Sequence, residues 1–119
     1  MTVYAKANEK AELDTLALAD NKFCVTVMRQ ATVFGYSPRM RFDLAINGMT
    51  YGAFSNGVLP LMRDGERYRP MIHVQDTTDV IYRLLEIESE KVNGELSNFG
   101  SDENYFQFGQ LGRKVARCV

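Results

Sequence analysis

Arg63 to Glu86, RDGERYRPMIHVQDTTDVIYRLLE, holds a turn, a strand and a helix in that order. Asp64-Gly65 is turn chemistry, because glycine takes up positive φ without steric cost. Met71 to Val74 is a short β-prone run and predicts a strand. Asp76 predicts the N-cap of a helix, and Asp79 puts negative charge in its first turn, where the helix dipole favours it. Val80, Ile81, Leu84 and Leu85 follow at helical spacing before Glu86 and Glu88, so the apolar face lasts two turns. A strand feeding straight into a helix is the building unit of α/β proteins.

The flanking segments extend the pattern. Upstream, Val58 to Met62 predicts a short edge strand, and Gly57 closes the segment before it. That segment, Phe42 to Phe54, carries Phe42, Ile46, Met49 and Ala53 at helical spacing, although Gly48 and Gly52 weaken it. Phe34 to Arg39, FGYSPR, is a loop. Phe23 to Met28, FCVTVM, is β-branched at Val25, Thr26 and Val27 and predicts a buried strand, with Cys24 as a small buried hydrophobe. Tyr4 to about Asp20 has a helical composition, and Asn21 can end it in the left-handed region. Downstream, Asn93-Gly94 is a turn, Glu95 to Phe99 a short strand, and Phe106 to Val119 a last helix interrupted by Gly109 and Gly112. Helices and strands alternate, and glycines are scattered singly. Nowhere does a strand pass through a Gly-rich turn into a helix, the device that brings backbone amides onto a pyrophosphate.

Composition narrows the function. The chain has 119 residues, 45% hydrophobic and 24% charged, which suits one folded domain and excludes a disordered tail. Fourteen basic residues against 15 acidic ones give a net charge of −1, so no nucleic acid partner is expected. No apolar run approaches the ~20 residues that span a bilayer, and the start, MTVYAKANEK, lacks the apolar core of a signal peptide, so no membrane is expected. Cys24 and Cys118 are the two cysteines and His73 the one histidine, so no metal site is expected. Two free thiols fit a reducing, cytoplasmic location.

Three stretches in order, MRQATVFGYSPRMRFDLAIN (Met28–Asn47), Arg63–Glu86 and GELSNFGSDENY (Gly94–Tyr105), resemble the extended short-chain dehydrogenase/reductases. Within them the chain is similar to the NAD-dependent nucleotide-sugar epimerases and dehydratases, and YAKANEKAE (Tyr4–Glu12) is similar to their Tyr-x-x-x-Lys helix. The resemblance covers essentially the whole chain. It implies a partial Rossmann-like fold, with the catalytic helix and one late strand over residues 1–35 and the small α/β substrate-binding domain over 36–119. In that family the glycine-rich turn and a catalytic Ser or Thr lie upstream of the tyrosine, and further substrate-binding segments follow the last helix here. The resemblance therefore implies a truncated, internal piece, with NAD the cofactor of the parent family but none bound by this chain alone. Self-association into a homo-oligomer is expected, since the first helix and strand would pack within a larger sheet.

The resemblance also implies roles. Tyr4 stands where the family has its general base, which draws a proton from a sugar hydroxyl. A phenol of pKa about 10 becomes a base at neutral pH only when nearby positive charge stabilises the phenolate. The family uses a lysine one turn later, and here that position is Asn8. Thr32 and Phe34 match the loop that touches the nicotinamide and the sugar. Asn47 matches an asparagine whose amide meets the diphosphate, and Arg69 an arginine on the same diphosphate, where a guanidinium fork suits phosphate oxygens. Taken from the residues alone, Tyr4 is an aromatic near a chain end, Asn47 a polar residue on an amphipathic helix, and Arg69 part of a basic loop with Arg63 and Arg67. His73 reads as a hydrogen-bonded core residue, and Asn98 and Gly100 as structural, with Gly100 at positive φ and Asn98 buried.

Overall fold

The computed structural model describes residues 2–61 and 64–119. Among them are helices α1 (Val3–Leu16), α2 (Ala45–Asn56), α3 (Val74–Glu86), α4 (Ser89–Val92) and α5 (Phe108–Cys118). The strands are β1 (Thr26–Gln30), β2 (Thr32–Phe34), β3 (Tyr68–His73), β4 (Glu95–Phe99) and β5 (Tyr105–Gln107). The chain divides into two compact units, one of Met1–Arg29 with Val80–Asn98, the other of Gln30–Asp79 with Phe99–Val119. The fold is the mixed α/β arrangement expected of a partial Rossmann-like piece.

In the first unit β1 pairs with β4. Asn93 anchors the approach to β1: its Oδ1 accepts from the Val25 amide at 2.9 Å and its Nδ2 donates to the Asp20 carbonyl at 2.8 Å. This is the buried-asparagine role that the sequence assigns to Asn98, which is instead exposed. Gly94 takes the turn at φ 77°, whereas Gly100 is not among the positive-φ glycines, so that expectation is also corrected. The helix expected to run to Asp20 stops at Leu16 because the Asp20 carboxylate accepts from the amides of Lys22 and Phe23, at 2.7 and 2.8 Å, and turns the chain. Cys24 is exposed rather than buried, since β1 begins two residues after it. Arg29 on β1 donates its Nε to Glu12 of α1 at 2.7 Å.

In the second unit β3 lies between β2, its parallel neighbour, and β5, its antiparallel one. The parallel register starts at Thr32↔Met71, so Pro70, which has no amide to donate, sits where β3 has only β5 beside it. Helices α2 and α5 cover one face. Met49 of α2 and Met71 of β3 are each 1% exposed, and Ala45, Phe108, Leu111 and Val115 complete the core around them. On α5 the buried Phe108, Leu111, Gly112 and Val115 fall on one stripe, leaving Arg113, Lys114 and Arg117 to solvent. Gly52 is explained by packing: a Cβ there would lie 2.6 Å from Pro60 Cδ and 2.7 Å from the Val58 carbonyl oxygen.

Several boundaries differ from the sequence reading. No strand forms over residues 58–61, and Met62 and Arg63 lie outside the described residues. The last helix starts at Phe108 because Tyr105–Gln107 pairs with Tyr68–Pro70. The same pairing extends β3 back to Tyr68.

Candidate functional site

The C-terminal end of β2 opens onto a recess of about 310 Å³ lined by Phe34, Tyr36, Phe42, Asn47, Tyr51 and Phe54 together with Gly35, Met40, Ile46 and Thr50. Its walls are aromatic, with the Phe42 and Tyr51 rings 4.7 Å apart. Asn47 is 7% exposed and ties the rim together. Its Oδ1 accepts from the Gly35 amide and its Nδ2 donates to the Arg41 carbonyl, both at 3.2 Å. Gly35 has φ 115°, and a Cβ there would sit 2.7 Å from His73 Cδ2. The chain after β2 can therefore leave the sheet against the imidazole only with glycine at this point.

His73 does more than the core role expected of it. Its Nδ1 accepts from the Gln75 amide at 3.2 Å, and its ring meets Phe34 edge-on at 5.3 Å. Helix α3 starts at Val74, so the imidazole serves as its capping acceptor, and Asp76, expected at the N-cap, lies inside the first turn. The strand runs into the helix without a loop, which places the capping position three residues earlier than an Asp-based reading puts it.

Thr32 sits at the start of the β2–β3 pairing, opposite Met71, and Phe34 at its other end, opposite His73. Arg69 is on the same face of β3 as Met71 and His73 but at the other end, four residues or about 13 Å from His73 along the strand. The structure thus brings Phe34 and Asn47 together and leaves Arg69 apart from them within the same unit. Arg69 is exposed and, among the described residues, its side chain takes part in no hydrogen bond or ion pair. Beside it, Tyr68 and Tyr105 stack with centroids 5.5 Å apart.

Tyr4 belongs to the other unit, in the first turn of α1, and is 76% exposed. Thr2 caps this helix, its Oγ1 accepting from the Ala5 amide at 3.2 Å. Asn8 lies one turn beyond Tyr4, and Lys10 is paired with Asp14 at 3.1 Å. Among the described residues no group of three or more His, Cys, Asp or Glu side chains is gathered as a metal set.

Two of the described strand-to-helix junctions, at α3 and α5, lack the amide row that holds a dinucleotide. At α3 the cap is the His73 imidazole. At α5 the first amides are already engaged, Phe108 with the Arg67 carbonyl at 3.0 Å and Gly109 with the Gly65 carbonyl at 2.8 Å. Neither junction leaves a glycine-rich row of free amides for a pyrophosphate.

Several solved structures share this fold. A dTDP-glucose 4,6-dehydratase of Bacillus anthracis str. Ames, in complex with NAD, superposes with a TM-score of 0.83 at 24% identity, over 98% of this chain and 36% of that one. A dTDP-glucose 4,6-dehydratase double mutant of Streptomyces venezuelae, also with NAD bound, gives 0.76 at 20% identity over 96% and 34%. An epimerase of Methanothermobacter thermautotrophicus gives 0.69 at 24% over 90% and 32%. The chain spans about a third of the length of these solved relatives. No described helix is long and apolar enough to cross a membrane. The model of the NAD dependent epimerase/dehydratase family matches residues 1–100, and the chain belongs to that family.

Proposed function

We propose that the chain supplies the nucleotide-sugar-binding part of an NAD-dependent epimerase/dehydratase, with residues 1–35 corresponding to the catalytic helix and late strand and 36–119 to the substrate-binding portion. The observation that carries this reading is Arg69: an exposed guanidinium, without an ion-pair partner among the described residues, held on a strand beside stacked tyrosines. A charge left free at a fixed place suits a diphosphate. The aromatic recess at Phe34 supports a second contact region, for a planar ring or the apolar face of a sugar. Because its amide is committed to main chain at both ends, Asn47 acts by holding the rim of that recess. Thr32 and Phe34 border the region where the family brings nicotinamide and sugar together.

In the whole enzyme the reaction class is hydride transfer at a sugar carbon, followed by epimerisation or loss of water, with NAD supplying the hydride acceptor when bound. The part of this chain in that chemistry is Tyr4, which would take the proton of a sugar hydroxyl. Asn8 can donate a hydrogen bond to the phenolate but brings no positive charge, so Tyr4 lacks the usual support for ionisation. That departure favours a second reading, a non-catalytic module that keeps the fold and associates through its exposed apolar residues. A reducing, cytoplasmic setting suits two exposed thiols. Titration calorimetry with UDP-, dTDP- and GDP-sugars, with and without NAD, tests the proposal. Micromolar binding of one sugar nucleotide, lost in Arg69→Ala, is the expected result; no binding of any of them refutes it.

A further inference from the structure

Arg69 and one other cation share a neighbour, Phe106. The direct partner of Arg69 across the β3–β5 ladder is Phe106. Directly opposed residues of an antiparallel pair project to the same face, with Cβ atoms about 4.5–5.5 Å apart. Helix α5 starts two residues after Phe106 and folds back so that the Lys114 ammonium lies over the Phe106 ring, 5.0 Å from its centroid. One half-buried ring therefore has the base of the Arg69 side chain beside it and an ammonium over it. Among the described residues neither Arg69 nor Lys114 is paired with a carboxylate. Two cations reaching out from one ring repel as they approach, and an anion that meets both reverses the sign.

We propose that Lys114 is a second phosphate-binding residue, which with Arg69 takes the two phosphates of a nucleoside diphosphate, and that Phe106 is the positioning residue that holds the ammonium in place. The inference rests on the Arg69 reading above and extends it to this chain's last helix. A lysine on its own is a mobile point charge on a four-carbon stem. Its cation–π contact removes part of that freedom before the ligand arrives, which lowers the entropic cost of binding. Two cations at separate positions also distinguish a diphosphate from a monophosphate, because the latter can satisfy one of them only.

The test is calorimetric titration of the full chain with inorganic pyrophosphate, orthophosphate, UDP and UMP, with far-UV circular dichroism on every variant. The diphosphates should bind more tightly than their monophosphate counterparts. Lys114→Ala, an exposed change, should weaken pyrophosphate and UDP about tenfold while barely touching UMP, so the gap between UDP and UMP closes. Lys114→Arg should recover most of the loss. Phe106→Leu should fall between wild type and Lys114→Ala, and because that ring also touches the core, Lys114→Met serves as the second variant that leaves the packing alone. Weakening by Arg69→Ala with no change in Lys114→Ala overturns the role of Lys114 and leaves the Arg69 reading standing. No binding of pyrophosphate or UDP by a natively folded chain at millimolar concentration overturns both.

Discussion

Replacing Asn47 with alanine should loosen the recess more than it damages the core. The side chain contributes two hydrogen bonds, one to the Gly35 amide and one to the Arg41 carbonyl, each at 3.2 Å. A net bond is worth about 0.5–1.5 kcal/mol, so the pair is worth about 2 kcal/mol. For a unit of this size, that corresponds to a fall of about 8–16 °C in melting temperature. Asn47→Asp separates the two bonds. The introduced carboxylate keeps the acceptor for Gly35 but faces the Arg41 carbonyl with a lone pair, in a site only 7% exposed. Burial disfavours its charged form, so its folded pKa lies above the unfolded value of about 3.9. A group raised in this way adds stability below its unfolded pKa and loses it as pH rises through the folded one. Thermal melts by circular dichroism at pH 4 and pH 7.5 provide the assay. Asn47→Ala should show the same deficit at both, and Asn47→Asp a larger deficit at pH 7.5. A shift below 2 °C for Asn47→Ala, or an Asn47→Asp variant indifferent to pH, would refute the reasoning.

Three further outcomes follow from other parts of the molecule. Arg29 hydrogen-bonds Glu12 and holds its carboxyl below the usual glutamate range, so whatever stability the pair adds is present above the unfolded pKa and lost as pH falls through the folded one; carbon-detected NMR titration should show the low value returning toward normal in Arg29→Met, and an unmoved titration would refute the pairing. Gly52→Ala should destabilise by about 1–3 kcal/mol despite alanine's better helix propensity, because the added carbon meets Pro60 and the Val58 carbonyl oxygen; an unchanged or raised melting temperature would show that the 58–60 segment yields freely. Val3, Tyr4, Leu13 and Leu85 are all exposed, Leu85 by 81%, so the chain should self-associate at tens of micromolar; sedimentation as a monodisperse monomer would count against it.

What the sequence revealed of the fold follows from the length of each signal. Glu95–Phe99 was readable because Asn93-Gly94 marks its start and the strand is five residues long. Strand β5 was not: its three residues sit directly against a helix, and three alternating positions cannot outweigh the helical periodicity that follows. The cap of α3 was missed for a related reason. Propensity points to Asp76, yet the strand hands over to the helix at His73, and an imidazole acceptor has no strong statistical signature. Gly48 and Gly52 read as weak points in a helix, whereas Gly52 lies against the Val58–Pro60 return and cannot carry a side chain without moving it. A glycine's cost to a helix is written in the sequence, but the neighbour that requires it is not.

The candidate site divides along the same line. Arg69 was singled out only through the family resemblance: its own neighbours read as a basic loop, and it is the pairing with Tyr105–Gln107 that puts it on β3. The surroundings of Asn47 were not legible, since nothing in the sequence says that both ends of its amide would be engaged by main chain twelve and six residues away. Lys114 was invisible for the opposite reason: on an amphipathic helix an exposed lysine is ordinary, and only the register Arg69↔Phe106 together with the turn of α5 gives it a particular neighbour. Tyr4 and Asn8 show where residue identity suffices. Whatever packs around them, an amide one turn from a phenol supplies no charge, and a phenol of pKa about 10 needs one to act as a base near neutrality. On the proposed reading, Arg69 and Lys114 would hold a phosphorylated ligand, and the position one turn after Tyr4 brings a hydrogen-bond donor and no charge.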